Sequence, residues 1–306
     1  MMRILNYNDL CDFLTAEKIE YKLDEPMKNH TSFKIGGNAD VFVSVKSEDE
    51  LSTLIKYVTS QNIPYFILGK GSNILVSDGG IEGVVISLLN MDGIVVEGEC
   101  ITAFAGASLA RVCTEALNNC LSGLEFAYGI PGSLGGALFM NAGAYGGEMS
   151  QVVSTATYIT EKGEKGEIEL KNMKLGYRTS IFKNSNMIIT KVVLSLKKGD
   201  KSKINDCMNN LLQRRKDKQP LEYPSAGSTF KRPEGYFAGA LIEQNGLKGY
   251  TVGGAKVSEK HAGFVINYNN ATCCDVRTLM KNVCDKILEK DNVILVPEII
   301  FVGRED

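Results

Sequence analysis

The stretch GIPGSLGGALFMNAGAYGGE (residues 129–148) places seven glycines among twenty residues. A residue without a Cβ either turns the chain at positive φ or lets another group lie directly against the main chain. Pro131, Ser133 and Asn141 add a fixed turn and hydrogen-bonding groups. That mixture suits a loop packed on a polyanion as well as a plain series of turns. A second glycine-rich turn, LGKGSN (68–73), follows the strand-like run PYFILG. Its Gly69, Lys70, Gly71, Ser72 and Asn73 could form a backbone nest for a phosphate. Neither stretch is a nucleotide motif of known spacing. A Walker loop would need glycine at Pro64, and GxGxxG fails at Ile74. Two such loops in one domain can embrace one pyrophosphate, and each alone reads more readily as a structural turn.

Working outward, the 306 residues leave room for roughly two domains, each with its own core. A hydrophobic share of 44% and a charged share of 23% are those of an ordinary soluble globular protein, and the formal charge of −2 speaks against nucleic acid held by bulk basicity. The opening MMRILNYNDLCDFL breaks every apolar run with Asn or Asp, so no signal peptide or membrane span is expected and the location is read as cytoplasmic. Eight cysteines without a CxxC pair read as reduced thiols. With His30 and His261 as the only histidines, no metal centre is expected.

The pattern of elements is α+β. Ser47 and Glu50 spell a capping box before a helix with Leu51, Leu54, Ile55 and Val58 on one face. Short β-rich runs follow at GVVISL, GIVVEG and CITAFAG, then a helix opened by Ser108. VVSTATYIT and EIELKN read as a hairpin around EKGEKGE, with MIITKVVLSL as a further strand. From Ile204 the spacing turns helical until Pro220, and two more helices follow, the last with Thr272 and Asp275 as a capping box. A domain boundary is placed near residue 200, and ILVPEIIFVG reads as a closing strand.

Three further residues invite chemistry. Ser228 in YPSAGSTFKRP could donate a proton, although a lone serine is more often a cap and no GxSxG elbow surrounds it. Arg178 in LGYRTSIFK reads as a guanidinium in a strand-like apolar run, paired either with an internal carboxylate or with that of a substrate. Glu298 in VPEIIF reads as a carboxyl inside an apolar strand, where burial would raise its pKa and keep the proton on.

Taken in order, HTSFKIGG, LGKGSNILV, GIPGSLGGALFMNAGAYGGE, YRTSIF, SAGSTFKRP, LIEQNGLKGYTVGGAKVSEKHAGFVIN and VPEIIFVG resemble the UDP-N-acetylenolpyruvoylglucosamine reductase family across residues 28 to 303. The resemblance implies an N-terminal FAD-binding domain of the vanillyl-alcohol oxidase/p-cresol methylhydroxylase type (1–200, two α+β subdomains) and a C-terminal α+β substrate-binding domain (201–306). It implies non-covalent FAD, NADPH as hydride donor, and reduction of UDP-N-acetylglucosamine enolpyruvate to UDP-N-acetylmuramate in peptidoglycan synthesis by a monomer. Carried over position by position, Gly69, Lys70, Gly71, Ser72, Asn73, Pro131, Ser133, Gly135, Gly136 and Asn141 would hold FAD. Arg178, Ser228 and Glu298 would be catalytic, and Lys218 and Arg232 would bind the UDP pyrophosphate. Asn38 and Lys70 depart from residues common at those turns. The absence of an insertion after YRTS matches the compact branch of the family. The alternatives are another non-covalent flavin oxidase of the same fold and a nucleotide-sugar binding protein without redox chemistry.

Overall fold

A computed structural model describes residues 7–304; the opening MMRILN lies outside them. The chain divides into two compact units. One comprises the residues up to Leu23, Val41–Lys70 and Gly83–Gln213; the other comprises Asp24–Asp40, Gly71–Glu82 and the chain from Arg214 onward. Sequence pattern suggested one boundary near residue 200. The chain in fact leaves the first unit twice before its final crossing inside a helix. The second excursion follows a long-range pairing: strand Ile74–Val76 lies parallel to Ile300–Val302, with Ile74 opposite Ile300. Local periodicity carries no signal of such a contact.

In the first unit, helices α1 (Asn8–Ala16), α2 (Glu48–Ser60), α3 (Leu109–Asn118) and α4 (Leu134–Phe139) accompany two larger sheets. Five strands lie antiparallel in the order Lys165–Glu169, Val153–Ile159, Ile188–Ser195, Cys100–Phe104, Ile94–Glu97. The expected hairpin joins the first two of these, closed by the Thr160 N–H to the Glu164 carbonyl at 2.9 Å. In the second sheet Tyr65–Leu68 runs parallel to Ile81–Ser87. Ile101, Ala103, Val112, Leu134, Leu138, Ala156 and Val192 are buried in the shared core.

The capping box of α2 is half formed. Ser47 Oγ accepts the Glu50 N–H at 3.1 Å, but the Glu50 carboxylate takes the Lys46 N–H at 2.7 Å. Beside it Glu48 is buried and accepts from Lys165 Nζ at 2.7 Å, Lys191 Nζ at 3.0 Å and the Thr190 hydroxyl at 2.6 Å. A carboxylate removed from water needs such partners, and these tie the start of α2 to two strands of the five-stranded sheet.

Helix α5 (Lys201–Lys218) carries the chain to the second unit. There α6 (Ala238–Gln244) and α7 (Cys273–Asp291) accompany a small antiparallel sheet of Thr251–Val252, Ala255–Val257 and Val265–Asn267. The expected capping box at Thr272 and Asp275 is complete. The Asp78 carboxylate adds a second cap, accepting the N–H groups of Cys273 and Cys274 at 2.8 and 3.0 Å. Leu241, Ile242, Val276, Leu279, Val283 and Ile287 fill this unit's core.

Candidate active site

The glycine-rich stretch is not the loop its composition suggests. Residues 134–139 form α4, opened by Ser133, whose Oγ accepts the Gly136 N–H at 3.4 Å. The helix is pinned from below by the Leu134 N–H to the Ala107 carbonyl and the Gly135 N–H to the Ala105 carbonyl, both 2.8 Å. A Cβ on Gly135 would stand 2.7 Å from the Ala105 Cβ, so this glycine makes room for Ala105 and its amide is already engaged. Gly136, by contrast, is exposed, as is Pro131. Gly69 belongs to the same surface, since a Cβ there would meet Ser133 Oγ at 2.4 Å. Gly69 and Ser133 thus lie side by side within one unit, with Gly136 and Lys70 exposed. Gly71 needs its glycine doubly: its φ is +62°, and a Cβ would meet the His30 carbonyl oxygen at 2.2 Å in its own unit.

After α4 the chain makes a hairpin, Gly143–Ala144 against Gly147–Glu148, through Tyr145 and Gly146 at φ 55° and 87°. Two positive φ values in a two-residue loop are the geometry that matches strand twist. Asn141 is fully buried, with Oδ1 accepting the Ser150 N–H at 2.9 Å and Nδ2 donating to the Gly176 carbonyl at 3.0 Å. Its side chain faces backbone, so the expected contact from Asn141 to the cofactor is corrected. Arg178 is corrected too: it sits in no strand but in a turn bridged by Gly176 and Thr179, at φ 55°. Its guanidinium reaches the Gly143 carbonyl at 3.4 Å and lies 5.0 Å from the centre of the Tyr177 ring.

In the second unit the segments that carry Ser228 and Glu298 pair through the backbone of neighbouring residues. The Glu298 N–H donates to the Thr229 carbonyl at 2.9 Å and the Lys231 N–H to the Val296 carbonyl at 2.8 Å. Asn73 Nδ2 donates to the Glu298 carbonyl at 3.2 Å, and the Ile300 N–H reaches the Asn73 carbonyl at 3.0 Å. Ser228 is exposed, while Thr229 beside it is buried and uses its hydroxyl to accept the Val265 N–H at 2.9 Å. Glu298 is half-buried and precedes the strand Ile300–Val302 rather than lying inside one, so the expected enclosure of its carboxyl is not met. Lys218 ends α5 and is exposed; Arg232 is exposed and stacks 4.0 Å from the Phe237 ring centre. Sequence reading passed over His261. Burial holds its imidazole below the ordinary 6.5, and Nδ1 accepts the Gly263 N–H at 3.1 Å. The Gly263 carbonyl in turn accepts the Thr229 N–H at 2.9 Å, next to Ser228.

Residues 39–168 match the family model of an FAD binding domain, and residues 219–302 match the C-terminal domain of UDP-N-acetylenolpyruvoylglucosamine reductase. The reductase of that name from Caldanaerobacter subterraneus subsp. tengcongensis is 53% identical over 92% of this chain and 94% of its own length. The chain belongs to the UDP-N-acetylenolpyruvoylglucosamine reductase family. A family member from Clostridium perfringens is 48% identical over 98% of both chains. The crystal structure of the Thermus caldophilus reductase superposes with a TM-score of 0.80 at 33% identity, covering 93% of this chain and 99% of that one. This member of the reductase family is therefore an oxidoreductase with an FAD-binding domain, and its mixed helices and strands are those of the family's α+β fold. Among the described residues no helix is long and apolar enough to cross a membrane.

Proposed function

We propose that the protein reduces UDP-N-acetylglucosamine enolpyruvate to UDP-N-acetylmuramate in peptidoglycan synthesis, with non-covalent FAD and with NADPH as the hydride source. The observation that carries this reading is the joining of Ser228 and Glu298 on paired backbone segments, with Asn73 hydrogen-bonded to the same segment, in a chain of this family. Gly69, Lys70, Gly71, Ser72 and Asn73, with Pro131, Ser133 and Gly136, would hold the FAD. Bound FAD supplies the carrier that passes hydride from NADPH to the enolpyruvyl β-carbon.

The protein's own task is to manage charge and one proton. Hydride addition pushes negative charge onto the substrate carboxylate, giving an enediolate-like species. Arg178 is a permanent cation suited to meet that carboxylate, and Glu298 is assigned beside it as a catalytic residue. Ser228, exposed on its segment, then gives its hydroxyl proton to the α-carbon. Lys218 and Arg232 are assigned to the pyrophosphate. The test separates the two halves of the reaction. NADPH added anaerobically should bleach the flavin band, and the enolpyruvyl substrate should restore it. Ser228→Ala should leave bleaching intact and slow recovery by about 10²–10⁴-fold, because only the second half needs that proton. Bleaching without recovery in the wild type would refute the reductase reading, and equal loss in both halves would remove Ser228 from its role.

A further inference from the structure

Arg178 holds φ at 55°, a conformation that residues with a Cβ adopt rarely and keep only where the surroundings over-determine it. The surroundings can be named. Gly176 and Thr179 exchange N–H to carbonyl bonds of 3.1 and 3.2 Å, closing the turn on which Arg178 stands. On the N-terminal side the Gly176 carbonyl, already accepting from Thr179, also accepts from Asn141 Nδ2. On the C-terminal side Ser180 Oγ donates to the Phe139 carbonyl at 2.7 Å. Both donors are buried, Asn141 fully and Ser180 to 2% exposure. Both bonds run to the same place, Phe139 at the last position of α4 and Asn141 two residues beyond it. Asn141 is itself left-handed at φ 42° and locked by the Ser150 N–H on its other end, so its amide has one orientation. The guanidinium contact to the Gly143 carbonyl, two residues after Asn141, ties the head of Arg178 to the same segment.

We propose that Asn141 and Ser180 are positioning residues for Arg178: they dock its turn onto the C-terminal end of α4 and so fix the guanidinium relative to the glycine-rich surface at the helix's other end. The proposal rests on the reading of Arg178 as the residue that meets the substrate carboxylate. It gives the second half of the glycine-rich stretch a task of its own. Residues 133–136 provide the backbone surface, and residues 139–143 provide the seat of the arginine.

The test is a double-mutant cycle on flavin-loaded enzyme, reading NADPH bleaching, substrate-driven recovery and flavin content separately. Asn141→Ala should keep flavin and bleaching and slow recovery about 100-fold, the scale of an ångström of misplacement. Ser180→Ala, the milder change, should slow recovery about 10-fold, the scale of one hydrogen bond. In an Arg178→Ala background each should change recovery by less than about twofold, because the residue they position is gone. A full penalty that persists in that background overturns the proposal, as does loss of flavin from Asn141→Ala. If Asn141→Ala fails to fold, the Ser180→Ala cycle decides alone. Recovery at wild-type speed in Arg178→Ala by itself overturns the underlying reading of Arg178 and the proposal with it, and that single variant distinguishes the two failures.

Discussion

At Gly135 two consequences of one methyl group oppose each other. Inside a helix alanine is favoured over glycine by about 1 kcal/mol, so the substitution would ordinarily stabilise. Here the added Cβ would stand 2.7 Å from the Ala105 Cβ, and the Ala105 carbonyl binds the Gly135 N–H. The neighbour cannot withdraw without giving up that bond, and overpacking of this kind costs about 1–3 kcal/mol. Gly135→Ala should therefore lower the urea midpoint of unfolding, with the slope unchanged. A midpoint that stays or rises would show that α4 can lift off Ala105 freely. The same residue marks a limit of sequence reading. A glycine needed for a turn, for a ligand or for a neighbouring strand end looks the same in sequence, and only the position of Ala105 distinguishes them. Ser228, Arg178 and Glu298 are assigned through the resemblance of the blocks around them. The turn beneath Arg178 was not, because it depends on Asn141 and Ser180, which meet it only once α4 is folded.

Helix α2 begins on a charge that its sequence pattern does not explain. Burial works to raise the Glu48 carboxyl, and hydrogen bonds from Lys165, Thr190 and Lys191 with the Lys191 charge more than offset it, leaving the group below its ordinary 4.5. A carboxyl depressed in the folded state adds stability that is fully present above 4.5 and is lost as pH falls through the folded value. Glu48→Gln should thus be less stable than wild type at pH 7, since Lys165 and Lys191 lose their shared partner, and its stability should decline less steeply below pH 4.5. Urea midpoints measured from neutral to acid pH check this, and parallel curves for the two proteins would rule it out. Elements with a local signature were legible: α7 has its complete capping box, and the five antiparallel strands fall on the β-rich runs. Helix α4 was missed because two of its six residues are glycine, each costing about 1 kcal/mol of helix propensity. The Ser133 cap and the bonds to Ala105 and Ala107 outweigh that cost.

Across the whole molecule the cysteines behave as buried or exposed thiols, as each position dictates. Cys100, Cys207 and Cys274 are exposed, while Cys113 and Cys273 are buried. Burial, then the charge of Glu125, pushes the Cys113 thiol up to about 12. A thiolate reagent at pH 8 should label Cys100 and Cys274 first. Cys207 should follow more slowly because partial desolvation and the Glu125 charge raise its thiol, and Cys113 should react only after denaturation. Peptide mapping of the labelled native protein checks the order, and early labelling at Cys113 would contradict its burial. By itself the sequence determined the α+β class, most element positions and, by ordered blocks, the reductase family. These rest on local periodicity, caps and spacing, which are written along the chain. Only the tertiary structure decided that residues 24–40 and 71–82 fold with the C-terminal part, that Gly135 serves Ala105, and that Asn141 faces the Arg178 turn. Those outcomes depend on which distant backbone groups come within hydrogen-bond reach, and that is settled only when the chain closes on itself.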